Sequence, residues 1–159
     1  MKYFIVGYMA CGKPRRGRIM ATELGIRFID LDCYIADREH RTIPEIFAAE
    51  GEQGFRKLET RYLQEICELY EDFVLSTGGG APCFNHNMDY MNAQGQTIFL
   101  NTDIDTIVER LIRGKHKRPI VSQLNDEDIR EFVCRHLQER LPFYTQAKEV
   151  ILNQDSCAL

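Results

Sequence analysis

The chain has 159 residues, of which 44% are apolar and 28% charged, with a formal net charge of −4. That length suits one domain with a proper hydrophobic core, and the charge excludes the global basic field of a nucleic-acid binder. No apolar run approaches the length of a membrane span, and the first strand starts too early for a secretory leader, so a cytoplasmic protein is expected.

Tyr3 to Val6 reads as a strand that ends at Gly7, and Tyr8-Met9-Ala10-Cys11 leads to Gly12-Lys13 and a helix reaching Leu24. A strand, a glycine loop and a helix at this spacing make a phosphate-binding P-loop. Glycines let the backbone approach a phosphate, the loop amides form an anion nest, and the helix N-terminus and Lys13 add positive charge. One position departs from the pattern. The residue after the lysine is normally Ser or Thr, whose hydroxyl ligates Mg²⁺, and here it is Pro14. Proline fits a first helical turn but offers no ligand and one amide fewer. Taken alone, this stretch also fits an ordinary strand, turn and helix.

Gly25 reads as a helix C-cap and Ile26 to Ile29 as a second strand ending in Asp30-Leu31-Asp32. On an extended segment both carboxylates project from one side of the strand's carboxyl end, where open α/β sheets bind ligands. Asp32 could instead cap a helix beginning at Cys33. From Ile43 to Tyr70 the pattern is helical, with a break expected near Gly51 and Gly54. Phe55, Leu58, Tyr62, Ile66 and Leu69 form one apolar stripe that reads as core. Arg56 and Glu59 lie off it at i and i+3, and by themselves read as a surface salt bridge of little weight.

Phe73 to Ser76 is a buried-looking strand that runs into Thr77-Gly78-Gly79-Gly80. Three glycines in a row raise the ordering cost of a loop, which makes sense where a ligand meets the backbone. Thr97 to Leu100 follows as a strand and Asp103 to Arg113 as a helix. Residues 113–118 then carry four Lys or Arg in six. Bounded by Gly114 and Pro119, this segment reads as a mobile basic lid over the P-loop; nothing aromatic is interleaved to suggest nucleic acid. Asp126 to Arg140 is helical and stops at Leu141-Pro142, and Val150 to Leu152 is a last strand. The alternation predicts a three-layer α/β/α fold with a central parallel sheet of about five strands and helices on both faces. The six cysteines, Cys11, Cys33, Cys67, Cys83, Cys134 and Cys157, form no C-x-x-C pair, and the four histidines lack metal-ligand spacing, so reduced thiols and no zinc site are expected.

Taken together, six stretches resemble the shikimate kinase family of nucleoside monophosphate kinase-like P-loop proteins. They are Gly7-Tyr8-Met9 with Gly12-Lys13, Phe28 to Asp32, Phe55-Arg56 with Glu59, Gly78 to Gly80, Arg118-Pro119, and Arg140 to Tyr144. The resemblance covers essentially the whole chain, 1–159, as a single domain. It implies a lid at about 113–124 and a substrate-binding helical segment at about 33–62, and it implies a monomer. The implied reaction is transfer of the ATP γ-phosphoryl group to the 3-hydroxyl of shikimate, with Mg²⁺.

By the same resemblance, Gly7, Ala10, Cys11, Gly12, Lys13, Pro14 and Arg15 surround the ATP phosphates, and Arg118 closes over them from the lid. Asp30 helps to hold hydrated Mg²⁺. Asp32 binds the acceptor hydroxyls and acts as base, beside Lys13 and Arg118 as the other catalytic groups. Arg56 and Arg140 clamp the shikimate carboxylate, with Gly78, Gly79 and Gly80 against the substrate. Two departures are expected to matter. Pro14 replaces the metal-binding Ser or Thr, which predicts weaker Mg²⁺-ATP binding and lower turnover, with Arg15 supplying part of the lost charge. The chain also stops within the loop that relatives continue over the adenine, short of a final helix. A shikimate-binding relative without turnover and a kinase for another polyol acid, such as gluconate, are the competing readings. Arg56, Arg140 and the triple glycine favour shikimate.

Overall fold

Five parallel strands in the order β2-β3-β1-β4-β5 organise the molecule. They are β1 (Lys2–Val6), β2 (Arg27–Asp30), β3 (Phe73–Ser76), β4 (Gln96–Thr102) and β5 (Glu149–Asn153). The computed structural model describes residues 1–153; Cys157 and the segment expected to lead toward the adenine lie outside the described residues. β1 and β3 are covered on both faces, and Phe4, Val6, Phe73, Val74 and Leu75 are fully buried. Such near-continuous apolar runs are the mark of interior parallel strands.

The helices are α1 (Lys13–Leu24), α2 (Leu31–Glu39), α3 (Ile43–Leu69), α4 (Asn87–Gln94), α5 (Ile104–Arg113), α6 (Pro119–Ser122) and α7 (Asp126–Tyr144). α1 ends at Gly25 in the left-handed conformation, as expected. α3 starts on a capping box between Thr42 and Glu45, and its one non-helical residue is Gly51, at φ 69°. Gly17 lets α1 sit directly on the sheet: a Cβ there would lie 2.5 Å from the Phe28 ring. Register aligns the functional ends, because Ser76 pairs with both Ile5 and Asp30. The ends of β1, β2 and β3 are therefore level with one another.

Four expectations need correcting. Asp30 and Asp32 do not share one face of a strand, because β2 stops at Asp30 and Leu31 already begins α2. Asp30 is itself the cap, accepting the Cys33 amide at 3.1 Å, and Asp32 lies in the first turn. Leu69 is not core but 60% exposed, at the last position of α3, while Leu63 takes a fully buried place. The basic segment is not simply loop: Lys115–Lys117 form a 3-10 turn and α6 follows. Finally, α7 runs through Pro142 to Tyr144. Pro142 has no N–H to bond the carbonyl four residues back, and its own carbonyl accepts from the Thr145 hydroxyl and the Gln146 side-chain amide.

Candidate active site

The P-loop crosses the carboxyl end of β1 in a form that its glycines permit. Gly7 has φ 155°, and a Cβ there would meet the Leu100 carbonyl oxygen at 2.8 Å and the Cys11 sulfur at 2.9 Å. Gly12, at φ 98°, caps α1. Neighbouring elements brace the loop: the Thr102 hydroxyl donates to the Cys11 carbonyl at 2.7 Å, and Arg110 Nη1 donates to the Ala10 carbonyl at 3.1 Å. Lys13 is buried, its ammonium donating to the carbonyls of Gly7 and Tyr8 at 2.8 and 2.9 Å. A loop held around its own lysine presents positive charge from a preset position.

A cavity of about 480 Å³ opens on this loop, lined by Ala10, Cys11, Gly12, Lys13, Pro14, Arg110, Gly114 and Arg118. Two expected members thus face each other across it, the P-loop and Arg118 from the basic segment. Arg110 was not foreseen. In the sequence it is one of several charges on an amphipathic helix, and nothing local distinguishes it from the others.

A second cluster gathers around the glycine run after β3. A Cβ on Gly78 would lie 3.1 Å from Asp32 Oδ1 and 3.4 Å from Glu59 Oε2. On Gly79 it would lie 3.2 Å from the Met9 amide nitrogen and 3.3 Å from Arg140 Nη1. On Gly80 it would overlap Arg56, at 2.5 Å from Nη2. Three consecutive missing side chains therefore make room for groups from α2, α3, α7 and the P-loop. The Tyr144 hydroxyl locks the turn by donating to the Gly79 carbonyl at 2.6 Å, which the extension of α7 through Pro142 makes possible.

Arg56 is held on two sides. Its Nη1 donates to Glu59 at 3.0 Å, and its guanidinium lies over the Phe84 ring at 4.3 Å. The pair is not the surface salt bridge that spacing suggested, because Glu59 is 0% exposed. Glu59 is the residue whose surroundings sequence reasoning misjudged. Its only sequence signal was its place in the Phe55-Arg56…Glu59 stretch. Burial pushes its carboxyl up to about 7, against the pull of Arg56. Asp32 also titrates above the ordinary aspartate range, through burial and then Asp30, with Lys13 and Arg56 opposing. Its Oδ1 is buried without a hydrogen-bond partner among the described residues. A partly buried basic carboxylate with an unanswered oxygen is equipped to take a proton from a hydroxyl. The Tyr8 hydroxyl and His136 Nδ1 are 2.9 Å apart, tying the P-loop to α7.

The sequence model of shikimate kinase matches residues 9–158. The chain belongs to the shikimate kinase family. It is 46% identical to the shikimate kinase of Bacteroides thetaiotaomicron, over 98% of this chain and 87% of that one. The shikimate kinase of Phocaeicola vulgatus is 44% identical, over 94% and 85%. The crystal structure of the B. thetaiotaomicron shikimate kinase superposes with a TM-score of 0.91 at 45% identity, covering 96% of this chain and 86% of that one. A shikimate kinase from Acinetobacter baumannii in complex with shikimate gives 0.84 at 35% identity, covering 98% and 85%. The fold is that of these kinases, and the chain is an ATP-dependent small-molecule kinase by family, a class that generally works with a divalent metal.

Proposed function

We propose that this protein transfers the γ-phosphoryl group of ATP to the 3-hydroxyl of shikimate, giving shikimate 3-phosphate and ADP for chorismate and aromatic amino acid biosynthesis. It works as a monomer in the cytoplasm. The observation that carries the reading is the convergence of Asp32, Arg140 and Arg56 on Gly78, Gly79 and Gly80, one residue each, beside the P-loop. Two guanidinium groups around one backbone turn suit a carboxylate, which their planar forks grip in two bonds.

The roles follow from position. Arg56 and Arg140 hold the acceptor's carboxylate and so orient its ring. Asp32 accepts the proton of the attacking hydroxyl as the new O–P bond forms and the bridging β–γ bond breaks, leaving the electron pair on ADP. Lys13, the loop amides and Arg118 balance charge on the transferring group. Phosphoryl transfer depends on alignment and charge stabilisation of this kind. The segment 113–124 serves as the lid, and the helical segment 33–62 carries the acceptor side.

Hard oxygen donors fit Mg²⁺. Among the described residues no three His, Cys, Asp or Glu come together as a metal cluster; a Mg²⁺ ion brought in with ATP would be held mainly by the nucleotide phosphates and water. Asp30, with the oxygen not committed to Cys33, would help to hold hydrated Mg²⁺, and the bound ion would supply neutralising charge. Pro14 lines the nucleotide cavity without a side-chain oxygen to offer, which favours reduced turnover.

The test is ADP formation from Mg²⁺-ATP with and without shikimate, with gluconate as control. ADP dependent on shikimate alone supports the reading. Shikimate binding without ADP would instead make the protein a binding relative with a broken metal site.

A further inference from the structure

Glu59 is completely buried, and its two oxygens have different fates. Oε1 accepts from Arg56 at 3.0 Å, whereas Oε2 has no hydrogen-bond partner among the described residues. Oε2 and the equally unanswered Asp32 Oδ1 lie 3.4 and 3.1 Å from the same point, the place of the missing Gly78 Cβ. A glycine thus brings two buried carboxyl groups against one small space, with one shared cation beside them.

We propose that Glu59 is a proton-coupled positioning residue: binding of the acceptor's carboxylate at Arg56 draws a proton onto Glu59, so the anionic acceptor binds more weakly as pH rises past neutrality. This rests on the reading that Arg56 and Arg140 hold that carboxylate. Ionised Glu59 fixes Arg56 in place while the site is free. An incoming carboxylate competes for the same guanidinium and adds a like charge nearby, and both effects favour the protonated form of Glu59.

The groups facing Glu59 are few. From α3 itself come Arg56 and, beyond it, Glu52, which accepts from Arg56 at 3.4 Å. α2 contributes Asp32, with Asp30 behind it, and Lys13 of α1 acts on that pair. From α7 comes Arg140, with His136 acting on Arg140 rather than on Glu59, and from the 3-10 turn at Ala81–Cys83 comes Cys83. Burial and then Arg140 hold His136 below its usual range, and burial holds the Cys83 thiol above its own. In the free protein, burial pushes the Glu59 carboxyl up to about 7. The acceptor's own carboxyl, ordinarily near ~4, stays ionised throughout. Above pH 7 the complex therefore carries a proton that the free protein lacks, and by linkage affinity falls, by at most about tenfold per pH unit.

The experiment is calorimetric titration of the full chain with shikimate, without nucleotide, from about pH 6 to about pH 8.5, in buffers of different ionisation enthalpy. Kd is expected to rise by roughly 3- to 10-fold across that range, with proton uptake on binding near pH 8. Glu59→Gln keeps an acceptor for Arg56 and mimics the protonated carboxyl. Its Kd should be flat in pH, close to the wild-type value at low pH, with no proton uptake. A pH-independent wild-type Kd without proton uptake overturns the coupling, as does an undiminished slope in Glu59→Gln. If that variant does not fold, proton uptake by the wild-type chain decides. Failure to bind shikimate at every pH sinks the acceptor-site reading and the coupling with it, whereas binding that ignores pH sinks the coupling alone.

Discussion

Gly80 and Arg56 approach so closely that a Cβ at position 80 would lie 2.5 Å from Arg56 Nη2 and 2.7 Å from Nη1. The guanidinium is not free to swing aside, because Glu59 holds one edge and Phe84 one face. The space left by one missing methyl group is where the Arg56 guanidinium sits.

Gly80→Ala should therefore push Arg56 out of position with little effect on the nucleotide side. Misplacing a substrate-orienting group by about 1 Å costs on the order of 10²-fold. The KM for shikimate is expected to rise by roughly 10- to 100-fold, while the KM for ATP stays within about twofold. Steady-state kinetics with each substrate varied separately would show this, and an equal rise in both would refute it.

Pro14 stands in the first turn of α1, where a hydroxyl would meet the metal. Pro14→Ser restores that oxygen and one backbone amide. Turnover should increase by about tenfold or more, with half-saturation at lower Mg²⁺. Magnesium titrations of the two proteins provide the comparison. No gain would mean that phosphates, water and Asp30 already suffice.

Glu59 makes a signed prediction about stability. Its carboxyl has an ordinary value of 4.5 and titrates at about 7 in the folded protein. Folding therefore favours its protonated form. The stability linked to that proton is complete below 4.5 and is lost as pH rises to about 7. The loss is about 3 kcal/mol at most. Glu59→Gln cannot lose it, so the variant should gain on wild type between pH 5 and pH 7 and keep a constant offset above. Urea denaturation at about pH 5 and about pH 8 measures the difference. An identical offset at both pH values would contradict it.

Gly17 tests the scaffold. A Cβ there would lie 2.5 Å from Phe28 Cε1 and 3.5 Å from Ile5 Cδ1. Gly17→Ala should destabilise the fold by about 1–3 kcal/mol, a usual cost of overpacking. Activity per folded molecule should survive if α1 moves as a unit. A midpoint unchanged in urea would show that the Phe28 ring yields easily.

Much of this was legible along the chain. The P-loop, the triple glycine, the Gly25 helix end and the alternation of strands and helices are local patterns, each set by a few adjacent residues and their backbone preferences. Arg56, Arg140 and Asp32 could be named from their motifs. The tertiary structure decided their surroundings. Asp32 lies in a helical turn because Asp30 captures the Cys33 amide. Glu59 is buried because α3 packs against the glycine run, and Arg110 reaches the P-loop from a position 100 residues away in the chain. Residue type and spacing record what a short segment can do. Desolvation and charge depend on what folds over that segment from elsewhere, and those two terms set the chemistry of Glu59 and Asp32.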